Sequence, residues 1–340
     1  MSAGDFDGDG ALDLFIGGRL KPGQYGFPCG GHILRNNGKG FFTDVTNQVA
    51  PGLRNIGMIT DGKWLDYDHD GKLDLVIAGE YMPLLLFHNQ GGQLQPVTVG
   101  TGMEHSQGWW NRLLVVDING DGYPDIVAAN HGLNSRFRAS DSKPVSMYVG
   151  DFGGNGITEQ IICTYNGDKQ YPMVLRHDLV GMLPGLKKKF LKYETYKEKT
   201  IDDIFSADVL KKITRLDAYE LRSCVFINNK RGGFDKQPLP TEAQFSPIYG
   251  LVAGDFDKDG KTDLLLGGNF YQSKPEVGIY DGSYGLMLRG DGNGHFQSLS
   301  VSQSNLLIKG AVRDLLTLNC GAENLVIIAK NNDSLQVIKY

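Results

Sequence analysis

Four stretches of this 340-residue chain space their carboxylates so that they could wrap a hard cation. They run from Asp5 to Asp13, Asp66 to Asp74, Asp117 to Asp125 and Asp255 to Asp263. Each places side-chain oxygens at positions 1, 3, 5 and 9 of a nine-residue loop. The ligand sets are Asp5, Asp7, Asp9 and Asp13; Asp66, Asp68, Asp70 and Asp74; Asp117, Asn119, Asp121 and Asp125; and Asp255, Asp257, Asp259 and Asp263. Glycine at position 6 permits the sharp turn, and the position 7 carbonyl, from Ala11, Lys72, Tyr123 or Lys261, can add a ligand. Calcium is the expected ion, since it accepts six to eight oxygens in flexible geometry whereas magnesium demands a strict octahedron. A weaker fifth copy offers Asp151, Asn155 and Glu159, with Gly153 leaving position 3 without a side-chain oxygen.

An EF-hand opens the same way but needs a bidentate Glu at position 12 and a helix on each side. Position 12 is Ile16, Ile77, Ala128 or Leu266, so that reading fails. Every full copy runs on into a short apolar segment, which reads as a buried strand leaving the loop. A single Asp/Gly run is an ordinary solvated turn. Four copies, each with a carboxylate at position 9 and each feeding a strand, point to metal instead.

The elements that must position these loops repeat with them. Hairpin signals recur at Asn36-Asn37-Gly38, Asn89-Gln90-Gly91, Asn228-Asn229-Lys230 and Gly290-Asp291-Gly292, each between apolar runs. A unit of strand, metal loop, strand, strand, turn and strand is one propeller blade. The expected fold is therefore all-β: a single β-propeller over residues 1–340, with about six recognisable four-stranded blades in a parent ring that could hold seven. The loops begin at Asp5, Asp66, Asp117, Asp151 and Asp255, so the third step is short and the fourth long. The short step implies a compressed fourth blade. The long one holds an insertion at 178–222, where Leu186, Phe190 and Tyr193 fall at helical spacing and Ser206 could cap a second helix. The last unit keeps its strands, but its loop has decayed to Thr317-Leu318-Asn319-Cys320-Gly321, where no metal is expected.

The formal charge of −5 is largely ligand charge, since the four full loops hold 15 aspartates and four dications would bring the balance to +3. No basic stripe interleaved with aromatics supports nucleic acid as a partner, and no apolar run reaches membrane-spanning length. Cys29, Cys163, Cys224 and Cys320 lack metal-site spacing and read as small apolar residues, with one disulfide left open. No signal peptide opens the chain, and Met1 stands just before the first loop. We therefore read it as a mature or excised piece of a larger polypeptide.

The repeats resemble the FG-GAP, or VCBS, repeats of integrin-α-like β-propellers over nearly the whole chain outside the helical insertion. Gly108-Trp109-Trp110-Asn111-Arg112, Gly132-Leu133-Asn134-Ser135 and the segment from Tyr171-Pro172 to Phe190 are more narrowly similar to the propeller region of exported Bacteroidota proteins with ASPIC/UnbV-type domains. The resemblance implies calcium and an extracellular, cell-surface or periplasmic location, without a catalytic residue set. The expected function is a calcium-stabilised, non-catalytic binding module for glycan or protein ligands in adhesion or recognition. One alternative is a polysaccharide lyase drawing on His105, His131, His177, Arg136, Arg138 and Lys143, with Trp109 and Trp110 as sugar platforms. Another is an architectural spacer in a larger surface protein.

Overall fold

The computed structural model describes residues 1–274, 277–321 and 323–340. The apolar runs after the metal loops pair with a strand on each side, most of them buried at nearly every position, and the described residues form six antiparallel sheets, five blades of a β-propeller and one inserted sheet. The first is β1 (Ser2–Gly4), β2 (Asp13–Gly18), β3 (Gly30–Asn36) and β4 (Phe42–Asp44). The second is β5 (Met58–Leu65), β6 (Asp74–Met82), β7 (Leu85–Asn89) and β8 (Leu94–Val97), with β9 (Gly108–Trp109) added beside β6.

The third blade is interrupted. Its first pair, β10 (Arg112–Val116) and β11 (Asp125–Ala129), is followed by a whole inserted sheet of β12 (Val145–Gly150), β13 (Glu159–Asn166), β14 (Lys169–Pro172) and β15 (Thr214–Ala218). Only then does β16 (Cys224–Asn228) pair with β11, Phe226 opposite Ile126, and β17 (Phe234–Pro238) close the blade. The fourth blade is β18 (Ile248–Gly254), β19 (Asp263–Gly268), β20 (Leu286–Gly290) and β21 (Phe296–Leu299). The fifth has three strands, β22 (Val312–Cys320), β23 (Glu323–Lys330) and β24 (Gln336–Lys339).

Blades stack in chain order through their first strands, β10 on β5, β18 on β10 and β22 on β18, while β5 lies on both β1 and β2 of the first blade. The cores lie between them. Phe15, Ile33, Ile59 and Phe87 fill the first seam, Val76, Trp110, Ile126 and Phe226 the second, Val127, Val225 and Leu264 the third, and Leu265, Val312 and Ile328 the fourth. Each such side chain contributes about 1.5–3 kcal/mol of burial. Glycine sets how closely the blades approach, since a Cβ on Gly62 would overlap the Phe15 ring.

The Asp151 loop thus joins β12 to β13 of the inserted sheet and does not open a compressed blade between the third and fourth. The closing hairpin of the Asp117 unit stands about a hundred residues downstream, a distance over which local turn signals cannot assign partners. One face of the inserted sheet packs Met147, Val149 and Ala218 against Met58 and Tyr81. The other is covered by short helices at Arg176–Met182, Tyr193–Tyr196, Ile201–Ile204 and Ala207–Leu210. Leu186, Phe190 and Tyr193 do not share one helix, because the 3-10 turn Pro184–Lys187 ends before Phe190 turns into the core with Leu179 and Leu183. Ser206 precedes Ala207–Leu210 without a side-chain cap bond, whereas Thr200 and Asp203 form a full capping box. In the last unit β22 runs straight through Thr317 to Cys320 where the loop would be. All four cysteines are free.

Candidate metal centres

The five loops share one hydrogen-bonded scaffold. The position 1 carboxylate accepts from the position 5 amide with one oxygen and the position 6 amide with the other: Asp5 from Asp9 and Gly10 (3.1 and 2.9 Å), Asp66 from Asp70 and Gly71 (3.1 and 3.0 Å), Asp117 from Asp121 and Gly122 (3.2 and 2.8 Å), Asp255 from Asp259 and Gly260 (2.9 and 3.0 Å). Asp151 does the same with Asn155 and Gly156, at 3.0 and 2.7 Å. The position 5 side chain in turn accepts from the position 7 amide, that of Ala11, Lys72, Tyr123, Ile157 or Lys261. These bonds turn the carboxylates inward against their own repulsion.

The position 9 aspartates, Asp13, Asp74, Asp125 and Asp263, begin the second strands and are fully buried. Each accepts from the position 2 amide of its own loop and from an amide at the end of the third strand, that of Asn36, Asn89, Asn228 or Gly290. Burial, with neighbouring carboxylates adding to it, pushes Asp74 and Asp125 up to about 6 and raises Asp13 and Asp263 as well. Glu159 takes the same place in the fifth loop and accepts from the Phe152 amide at 3.1 Å.

Carboxylate oxygens of Asp5, Asp7 and Asp13, of Asp66, Asp68 and Asp70, and of Asp255, Asp257 and Asp259 each lie within 4.8 Å of one another, and Asp68, Asp74 and His88 form a further cluster. Basic residues flank them: Arg35 on Asp7 (2.7 Å), Lys72 on Asp70 (2.5 Å), Lys230 on Asp121 (3.2 Å), and Arg289 and Lys261 on Asp257 and Asp259 (2.5 and 3.8 Å). Against three or four aspartates, each loop keeps two or three negative charges in excess. Asp7 Oδ1 and Glu159 Oε1 are buried without a hydrogen-bond partner among the described residues. Uncompensated charge and orphaned oxygens inside an oxygen-only donor set fit a divalent hard cation. These residues would hold it, and its part would be to relieve carboxylate repulsion and fix the turn.

The sequence reading missed what binds the loops to one another. Asn89 Nδ2 donates to the Phe6 carbonyl of the preceding loop at 2.7 Å, and Asn228 Nδ2 donates to that of Tyr67 at 2.8 Å. Both asparagines were visible only as hairpin residues.

The lyase candidates are not gathered. His105 is exposed, and His177 bonds Tyr193 at 2.7 Å. Arg138 folds onto carbonyls of its own loop, Arg136 lies over Phe137, and Lys143 pairs with Asp168 at 2.9 Å. His131 is half-buried among Trp109, Phe137 and Tyr280, and desolvation there pushes it down to about 4. Trp110 is core, its indole N–H donating to the Ser106 carbonyl at 2.7 Å.

Residues 5–77 and 66–128, which take in the first three loops, match the FG-GAP-like repeat. This stretch carries FG-GAP-like repeats. No curated protein matches it. Among solved structures, this FG-GAP-like propeller is similar to a lectin of Agrocybe aegerita that recognises non-reducing terminal N-acetylglucosamine, at 15% identity and TM-score 0.34, covering 98% of this chain and 78% of that one. It is also similar to the V. cholerae biofilm matrix protein Bap1, at 15% identity and TM-score 0.32, covering 98% of this chain and 51% of that one. Superpositions this shallow carry no argument about ligand or partner. Among the described residues no helix is long and apolar enough to cross a membrane.

Proposed function

We propose that this FG-GAP-like propeller is a calcium-stabilised, non-catalytic binding module that works outside the cytoplasm, on glycan or protein ligands, as part of a larger polypeptide. The observation that carries the reading is the scaffold repeated in all five loops, which holds excess negative charge in each, with the four full loops at one end of the blades, and uses backbone hydrogen bonds to do so. A cation in each loop removes that repulsion. At calcium about tenfold above Kd each site adds about 1.4 kcal/mol. Extracellular calcium is millimolar, enough to fill sites of extracellular-type affinity, which supports a role outside the cell.

The opposite end is left for binding. The second and third strands of each blade are joined there, and these connections are the elaborate ones: 19–29, 130–223 and 269–285. Ligand-binding residues concentrate on loops held by a rigid scaffold.

The test is retention of the protein on a panel of plant, host and bacterial polysaccharides, in calcium and in chelator, with unsaturated-sugar absorbance followed in parallel. Calcium-dependent retention without new absorbance is expected. New absorbance would make the protein a lyase. Silence in both channels would leave a protein ligand or the spacer role.

A further inference from the structure

Three of the first strands break their pairing once each, near their starts. The register slips in β5 between Ile59 and Asp61, in β18 between Ile248 and Gly250, and in β22 between Val312 and Asp314. The residues left unpaired are Thr60, Tyr249 and Arg313, and all three line one cavity of about 320 Å³. Arg19 from the first blade, Glu80 from the second, Asn111 at the start of the third and Phe270 after the fourth blade's second strand complete it. A bulge re-aims a side chain at the expense of ladder hydrogen bonds. Three bulges aimed from separate blades into one space on the propeller's axis make a built site.

We propose that this axial cavity binds the carboxylate-bearing ring of an acidic sugar, an assignment that rests on the reading of the protein as a binding module. The charge arithmetic inside the cavity is specific. Arg19 Nη2 donates to Glu80 Oε1 at 2.7 Å, and the Tyr25 hydroxyl donates to Glu80 Oε2 at 2.9 Å, so both Glu80 oxygens are engaged and its charge is paired with Arg19. Arg313 lies 4.8 Å over the Tyr249 ring, and its Nη1 donates to the Asn269 and Val312 carbonyls at 3.0 and 2.8 Å. Among the described residues no carboxylate pairs with it. The cavity is left with one uncompensated guanidinium, held in orientation, whose remaining N–H groups can meet a carboxylate in a fork.

The rest of the lining separates a sugar from an acidic peptide. Asn111 Nδ2 donates to the Ile248 carbonyl at 3.1 Å, and the Thr60 hydroxyl donates to the Trp110 carbonyl at 2.7 Å. The Thr60 hydroxyl proton and one of the two Asn111 amide N–H groups are thus taken, while Asn111 Oδ1 and the Thr60 lone pairs remain as acceptors. Acceptors beside a cation suit a ligand that carries hydroxyl groups next to its carboxylate, and an Asp or Glu side chain has none. Phe270 supplies an apolar wall for a ring face. The volume stands at the small end of small-molecule sites and corresponds to about ten waters, room for one ring and not for a folded chain.

The experiment is calorimetric titration of the calcium-loaded protein with trigalacturonate, with neutral galactotriose and with a hexaglutamate peptide. Trigalacturonate is expected to bind, more weakly as salt rises, and Arg313→Gln to lose about tenfold or more in affinity while its calcium-dependent melting is retained. Thr60→Val is expected to lose several-fold and keeps the test open should Arg313→Gln not fold. Equal binding of galactotriose, or unchanged affinity in both variants, would overturn the assignment. Hexaglutamate binding as tightly as trigalacturonate would overturn the sugar. Retention of other glycans without trigalacturonate would remove this cavity and leave the binding module standing. Failure to retain any glycan would overturn the sugar assignment and leave a protein ligand or the spacer role.

Discussion

The side-chain amide of Asn228 donates to the carbonyl oxygen of Tyr67 at 2.8 Å and so ties the third blade to the metal loop of the second. The same residue's backbone N–H donates to Asp125 at 2.7 Å, in the metal loop of its own blade. One asparagine therefore joins two adjacent metal loops, and Asn89 repeats the arrangement between the second blade and the first. Asn228→Ala removes the donor and strands the Tyr67 carbonyl at the seam. A loss of about 1–3 kcal/mol is expected, read as a lower urea midpoint with an unchanged slope. An unchanged midpoint would show that the latch carries no stability.

The seam between the first two blades depends on Gly62, where any Cβ would meet the Phe15 ring. Gly62→Ala is expected to cost about 2–4 kcal/mol, because Phe15 is fully buried and the neighbouring strand cannot retreat without opening the core. Gly185→Ala, in the inserted region with open space around it, is the matched control and should be close to neutral. Thermal melts of the two variants side by side would decide the point.

His131 gives the protein a pH dependence of definite sign. Burial among Trp109, Phe137 and Tyr280 holds its folded value down at about 4, below an ordinary value of 6.5. Arg136 lies over Phe137, 5.8 Å from the ring centroid, at the border of that cage. Between those two values the unfolded chain binds the proton and the folded one does not, so stability is complete above about 6.5 and falls as pH drops toward 4. The contribution is on the order of 2–3 kcal/mol. His131→Phe should flatten that part of the profile, seen as the difference between wild-type and variant unfolding free energies across the window. A constant difference would contradict it.

The fifth loop separates full ligand sets from partial ones. Asp151, Asn155 and Glu159 share the scaffold, but Gly153 supplies no oxygen at position 3. In a calcium titration this loop should fill last. Glu159→Gln should remove that weakest step and leave four others unchanged.

What could be read from the sequence was what the chain writes contiguously. A metal loop holds all its ligands within nine residues and fixes them by turn chemistry, so Asp66 to Asp74 could be recognised without knowing any neighbour. Blade repetition was legible for the same reason. The interruption of the third blade was not, because Phe226 finds Ile126 across the whole inserted sheet and nothing local marks that pairing. Nor were the residues of the axial cavity, since Thr60, Tyr249 and Arg313 enter it only through one-residue slips in register that hydrophobic alternation does not encode. The asparagine latches carried a signal, the recurring Asn at the start of three of the turns, but a hairpin explained it sufficiently until the preceding blade was seen beside it.

The most direct test of the account is metal analysis of protein stripped with chelator and re-equilibrated in millimolar calcium with magnesium competing, coupled to thermal melts of the same samples. Four calcium ions per chain, with a weaker fifth, and a melting temperature that rises on reloading are predicted. Protein that retains no calcium, or takes magnesium on equal terms without a change in melting, would contradict the reading of the loops as calcium sites.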